Sequence, residues 1–336
     1  MEIYDENTSF SIWADKWFQH KSIGISEGYK VAIRCQLKYL VNYFNDTPIN
    51  KIRPMDINGF IEQLAIRNPK TNKPSSKQLL KDIKCVASNI FDFVSDNTDY
   101  DKNPAKRVKI PKNAPKSTRR ALSYDEINWI IQLQHRARLA ALIMCFCGLR
   151  AGELIPLTWS DIDFDRSIIT VNKSVQKVAS NIYRVKTGTK SGRNRNVPIP
   201  KWLIQEIRYY MNTSSSRFVC CKSNEDIHTP SSWSRLWESY NNQLSHAFAT
   251  VNQAKHSLYS PQGIKIRVEK ITPHMLRHTY ATLLYTSGVD VLSASKLLGH
   301  SDVAVTLKIY THLNEEKYVV SIENFDEYIN NRFFKK

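Results

Sequence analysis

From Lys102 to Arg120 the chain carries eight basic residues, three prolines and no acidic residue. Proline interrupts helix, and like charges hold a segment extended. A single fold does not run undisturbed through such a stretch. It divides the 336 residues into a helical N-terminal domain at 1–100, a basic interdomain linker at 101–121 and a C-terminal domain at 122–336. The chain is long enough to bury a sizeable core on both sides of the break.

The N-terminal part reads as four helices. Phe10, Trp13 and Trp17 follow Thr8 at spacings of three and four, the period of one helix face. "YKVAIRCQLKYLVNYF", "DINGFIEQLA" and "SKQLLKDIKCVASNIFDFV" continue in the same manner, with no strand signal between them. The C-terminal part opens with a capping box from Ser123 to Glu126. One long apolar helix is expected behind it, stopped by Gly148 in "MCFCGLR". "SIITV", "IYRVKT" and "RNVPIP" then predict a small antiparallel sheet. Helices resume in "KWLIQEIRYYM", "SSWSRLWESYNNQL", "TPHMLRHTYATLL", "DVLSASKLLG" and "DVAVTLKI", with a tail helix from about Glu315 to Asn331. Residues 249–268 read as an insertion. The fold class is mainly α with a small antiparallel β-sheet.

The charge narrows the partners. Forty-eight Lys and Arg against 31 Asp and Glu give +17, which favours a polyanion, nucleic acid before a membrane surface. No apolar run is long enough to cross a bilayer, and the acidic "MEIYDENTSF" start is no signal peptide. The six cysteines form no C-x-x-C pair and read as reduced thiols of an intracellular protein.

Four places carry candidate chemistry. In "TPHMLRHTYATLL" Thr272 can cap a helix with Pro273 at its first position. Leu276, Thr279, Tyr280 and Leu283 then take one side, and His274, Arg277, His278 and Ala281 the other. Cations gathered near a helix N-terminus cost energy until an anion faces them, and a phosphate would serve. "CGLRAGEL" sets Arg150 just past Gly148, with Glu153 three residues on to orient it. "GTKSGRNRNVPIP" puts Lys190 in a turn between strands, with Lys186 the alternative. In "LLGHSDVAVTLKIYTHL" His300 sits past the helix-ending Gly299, Ser301 or Asp302 can cap the next helix, and Tyr310 falls near that helix's end. A phenol titrating near ~10 is a weak nucleophile unless cations or a base assist it. Metal and nucleotide sites are not indicated. "DIDFD" (Asp161, Asp163, Asp165) fails as a calcium loop, with Arg166 where Gly is needed and Asn172 where Glu is needed. The Walker pattern is not met.

Arg150, Lys190, His274, Arg277, His300 and Tyr310, in this order and in these local contexts, resemble the tyrosine recombinase (phage integrase) family over about residues 120–330. The resemblance implies a helical, SAM-like core-DNA-binding domain followed by an α+β catalytic domain, closing as a clamp on duplex DNA. It makes Tyr310 the nucleophile of a site-specific recombinase forming a 3′-phosphotyrosyl intermediate. Arg150, Lys190, His274, Arg277 and His300 assist, and Glu153, His278 and His312 support. It further implies a homotetramer on two DNA sites, no cofactor, accessory DNA-bending or directionality proteins, and action in the bacterial cytoplasm at the nucleoid. An integrase of a phage or other mobile element is the expected subtype. A chromosome-dimer-resolving recombinase, a type IB-like topoisomerase and a non-catalytic DNA-binding protein are the alternatives.

Overall fold

The structure, a computed structural model, describes residues 5–116, 120–179, 181–188, 194–248 and 269–311. The expected insertion at 249–268 and the expected tail helix lie outside them. The chain forms two compact units, Met1–Thr118 and Arg119–Lys336.

The first unit is built from α1 (Phe10–Lys21), α2 (Glu27–Phe44), α3 (Pro54–Ile66) and α4 (Lys77–Ser95). Ser26 caps α2 by accepting from Tyr29 N–H, Ser76 caps α4 through Leu79 N–H, and Pro54 opens α3 at its first position. Phe10, Leu40, Ile57, Ile83, Ile90 and Phe91 close a core from which water is excluded. Fully burying each such side chain contributes about 1.5–3 kcal/mol. The basic stretch read as a linker does not run clear of this unit. Its Ala105, Val108 and Ala114 are buried in the same core. Asn103 Nδ2 donates to Ser88 and Asp92, and Lys77 N–H donates to the Pro115 carbonyl at 2.7 Å. The charges govern its outward side, while the apolar residues between them pack inward.

The second unit starts at the capping box, formed as expected between Ser123 and Glu126. The single long helix expected there is two, α5 (Tyr124–Gln132) and α6 (Arg138–Phe146). Side chains capture backbone groups at the break. Arg138 Nε donates to the Ile131 carbonyl at 2.9 Å, and His135 Nδ1 accepts from Ala137 N–H at 3.0 Å. From Arg138 to Cys145 every residue of α6 is buried, which makes it the central rod of the unit. It leads through Gly148 to the short α7 (Ala151–Leu154).

The single expected sheet is also two. β1 (Ile162–Asp163), β2 (Ile168–Val171) and β5 (Arg195–Pro198) form one antiparallel sheet, with Ile169 opposite Val197 and both buried. β3 (Lys173–Ala179) and β4 (Ile182–Thr187) form a separate hairpin. Two of the "DIDFD" carboxylates have structural partners: Asp161 pairs with Lys173 at 2.7 Å, and Asp163 Oδ1 accepts from Asp165 and Arg166 N–H in a turn.

Helices α8 (Lys201–Thr213), α9 (Pro230–Ala247), α10 (Pro273–Thr286), α11 (Val291–Leu298) and α12 (Val303–Thr311) complete the described unit. The entry to α10 is fixed on α9. Asn241 bonds both the N–H and the carbonyl of Ile271, and Trp237 Nε1 donates to that carbonyl at 2.7 Å. Thr272 caps α10 and Pro273 is its first residue, as expected. Thr279 Oγ1 accepts from Leu122 N–H at 2.9 Å, tying α10 to the start of the unit.

Candidate active site

The site grows from two glycines in the left-handed region. Gly148, at φ 67°, ends the central rod; a Cβ there would run into the Tyr280 ring. Its carbonyl accepts from Arg277 Nη1 at 2.6 Å. Two residues on, Arg150 is the N-cap of α7. Glu153 reaches back to its N–H at 2.9 Å and takes its Nη1 at 2.8 Å. Glu153 thus contacts both the backbone and the side chain of Arg150.

Gly299, at φ 64°, ends α11. Its N–H and that of His300 bond back to the Lys296 and Ser295 carbonyls, the Schellman arrangement. A helix end leaves further carbonyls in need of donors. Here three arginines take them in succession. Arg195 Nε donates to Leu297 O at 3.1 Å, Arg277 Nη2 to Leu298 O, and Arg150 Nη2 to Gly299 O at 3.2 Å. The negative end of the helix dipole therefore holds together three cations that would otherwise repel.

Arg195 was not singled out by sequence reasoning. It opens β5 and grips Glu153 with its whole fork, Nη1 to Oε1 at 3.0 Å and Nη2 to Oε2 at 2.7 Å. The visible signal was an arginine two residues before the inward-facing Val197 of "RNVPIP", which does not differ from the neighbouring arginine at 193. Burial alone would raise the Glu153 carboxyl, but Arg195, the Arg150 N–H and the Arg150 charge hold it down at about 2. Burial, and then the Arg150 charge, lower Arg277 from its ordinary value.

Arg277, expected on the side of α10 opposite Leu276, is only 7 % exposed, its guanidinium taken by the Gly148 and Leu298 carbonyls. His274, one turn earlier, is exposed, and His278 is half-buried. His300 is half-buried. Its Nδ1 shares a hydrogen bond of 2.8 Å with Thr306 Oγ1 of α12. Burial, then the charges of Arg277, Arg150 and Arg195, push its pKa down to about 4. The ring is therefore neutral at pH 7.

Arg150, Glu153 and Arg277 thus meet at one helix end, with His300 immediately after it. Tyr310 is not brought into that cluster. It is buried among Tyr285, Leu284 and Ala294, its hydroxyl donates to the Val289 carbonyl at 3.2 Å, and its ring meets Tyr285 edge-on at 4.8 Å. Burial, Asp290 and Tyr285 raise its phenol to about 12. Lys186 is exposed on β4. Lys190 and His312 lie outside the described residues.

Three guanidinium groups face one carboxylate here, and each Nη nitrogen of Arg150 and Arg277 carries a second hydrogen beyond the bond named above. Such a fork set suits a tetrahedral oxyanion such as phosphate. The phage integrase family profile matches residues 120–317. The tyrosine recombinase XerA of Thermococcus kodakarensis is 32% identical over 218 residues, 63% of this chain and 64% of that protein. The Tn1549 transposon integrase, solved with a circular intermediate DNA, superposes with a TM-score of 0.74 at 18% identity, covering 94% of this chain and 99% of that one. Lambda integrase, solved as a tetramer bound to a Holliday junction, gives 0.65 at 17% identity, covering 88% of this chain and 79% of that one. The described helices and two small antiparallel sheets are the fold of those integrases, and this chain belongs to the phage integrase family, the tyrosine recombinases.

Proposed function

We propose that the chain is a site-specific DNA recombinase that cleaves and rejoins strands through a 3′-phosphotyrosyl intermediate. The observation that carries this reading is the convergence of Arg150 and Arg277 on one helix end, through the Gly299 and Leu298 carbonyls. In the proposed step the Tyr310 hydroxyl gives its proton to a histidine of the site, its oxygen attacks the scissile phosphorus, and the bond to the 5′ oxygen breaks. Arg150 and Arg277 hold the non-bridging oxygens, where charge builds up. His274 and His300 donate further hydrogen bonds, and Lys190 protonates the departing 5′ oxygen. Each fixed donor is worth on the order of 3 kcal/mol of transition-state stabilisation. The tyrosyl ester retains the bond energy, so the reverse attack by a 5′ hydroxyl rejoins a strand without a nucleotide cofactor.

In this reading Val289 and Tyr285 hold Tyr310 in a resting position, and α12 shifts when DNA is bound. The helical unit supplies core-DNA contacts and the second unit the chemistry. The protomers assemble as a tetramer on two duplexes, a reading supported by lambda integrase, solved as a tetramer bound to a Holliday junction. The task is integration or excision of a mobile element, carried out wherever the host chromosome lies, with bending or directionality proteins assisting.

The experiment is trapping on a nicked suicide substrate cut from the DNA flanking the gene. The parent chain gives a protease-sensitive adduct. Tyr310→Phe gives none while keeping its DNA affinity. An adduct that persists without the hydroxyl removes Tyr310 from the mechanism. Joining of ends from two different duplexes separates recombinase from topoisomerase.

A further inference from the structure

Arg195 lies outside the residues the family resemblance assigned, yet it bonds the same carboxylate and the same helix end as Arg150. Its fork takes both oxygens of Glu153, and its Nε takes the Leu297 carbonyl. Its side chain is 8 % exposed, against 26 % for Arg150. It also passes beside Gly299 so closely that a Cβ there would sit 2.9 Å from its Cδ and Nη1. Arg195 thus spans from β5 to the end of α11 and grips the one carboxylate on which Arg150 rests.

We infer that Arg195 is the positioning residue of the site: it fixes Glu153 and the α11 terminus, and through them the reach of Arg150 toward the scissile phosphate. The inference rests on the recombinase reading. It differs from a purely structural role in what it demands of Glu153. That carboxylate presents two oxygens to several donors: the Arg150 N–H, Arg150 Nη1 and both Arg195 Nη atoms. Without Arg195 it keeps only the Arg150 bonds and can rotate about them, carrying the Arg150 fork with it. A displacement of about 1 Å in a positioned group costs about 100-fold in rate. DNA affinity, summed over many Lys and Arg contacts to phosphate, changes little.

The test compares the parent with Arg195→Gln and Arg195→Lys on the nicked suicide substrate. Single-turnover cleavage is followed at saturating protein from pH 5 to pH 9, with duplex affinity from fluorescence anisotropy. The expected result for Arg195→Gln is cleavage about 100-fold slower with affinity within about threefold. Arg195→Lys keeps the charge but not the fork, so cleavage stays at least about tenfold slow. The pH profile supplies the readout that a scaffold role leaves unmoved. The groups facing the carboxylate are Arg150 from α7, Arg195 from β5, Arg277 from α10 and His300 after α11. With Arg195 gone, burial is less opposed, the carboxyl titrates higher, and an acid limb absent from the parent enters the window. Should the limb survive in an Arg195→Gln/Glu153→Gln double variant, it belongs to another group and the inference is wrong. Cleavage by both Arg195 variants at the parental rate and pH profile overturns it as well, even if their stability falls. A parent chain that forms no tyrosine-dependent adduct overturns the recombinase reading, and this inference with it.

Discussion

Arg195 and Glu153 meet fork to fork, Nη1 3.0 Å from Oε1 and Nη2 2.7 Å from Oε2, with side chains 8 % and 2 % exposed. Removing one partner of a buried pair strands the other charge, which costs about 3–5 kcal/mol. Glu153→Gln leaves three arginines around a neutral amide. We predict a loss in that range by urea denaturation, larger than for Glu225→Gln, whose residue is exposed. A loss below about 1 kcal/mol would show that the α11 carbonyls satisfy the arginines unaided.

The same pair sets a pH dependence. Glu153 is held at about 2 against an ordinary 4.5, so its contribution is present above pH 4.5 and is lost as pH falls toward 2. The gap in stability between parent and Glu153→Gln is therefore constant from pH 7 to 5 and narrows below 4.5. His300, lowered to about 4 from 6.5 by burial and three arginines, favours its neutral ring in the fold. Its contribution is likewise complete above pH 6.5 and lost toward 4. An NMR titration of the His300 ring carbons is expected to show a midpoint well below 6.5. A midpoint at or above that value would mean the arginines lie farther away than the structure places them.

Gly299 answers two demands at once. Its φ of 64° closes α11, and a Cβ would meet Arg195 at 2.9 Å. A left-handed L-residue costs about 1–2 kcal/mol, and the contact adds to that. Gly299→Ala is expected to lose at least about 1 kcal/mol in thermal or chemical denaturation. Gly24→Ala, also at positive φ but with open space around its Cβ position, is expected to lose only the backbone part. Equal losses would show that Arg195 yields freely and is not fixed where it stands.

What the sequence showed and what it hid follow from how local each signal is. Capping residues speak to the next three positions, so Ser123 with Glu126 and Thr272 with Pro273 were legible as helix starts. The Arg150–Glu153 contact spans three residues and could be read off "RAGEL". The break between α5 and α6 was hidden because Arg138, which satisfies the Ile131 carbonyl there, looks like any helix arginine. The Arg195–Leu297 and Arg277–Leu298 bonds join residues far apart in the chain, and no periodicity encodes them. The pose of Tyr310 was hidden for the same reason: its acceptor is a backbone carbonyl, which carries no letter in the sequence.

That pose leads to a final prediction. Two contacts hold the Tyr310 ring down, the Val289 carbonyl and the edge of Tyr285 at 4.8 Å, while Thr306, one turn earlier and fully buried, ties the same helix face to His300. Residues 306 and 310 point the same way, so α12 docks through both or neither. An edge-on aromatic pair is worth about 0.5–1.5 kcal/mol beyond its burial. Tyr285→Leu keeps most of the apolar surface and removes that increment. Amide exchange of Val303–Thr311 is then expected to quicken by about 2- to 10-fold while α6 stays as protected as in the parent. Thr306→Val removes the other tether, leaves the His300 ring nitrogen without its hydroxyl, and is expected to act in the same direction. If α12 exchanges at the parental rate in both variants, neither tether limits its opening. The resting position of Tyr310 would then have to be held by something other than its ring and its helix face.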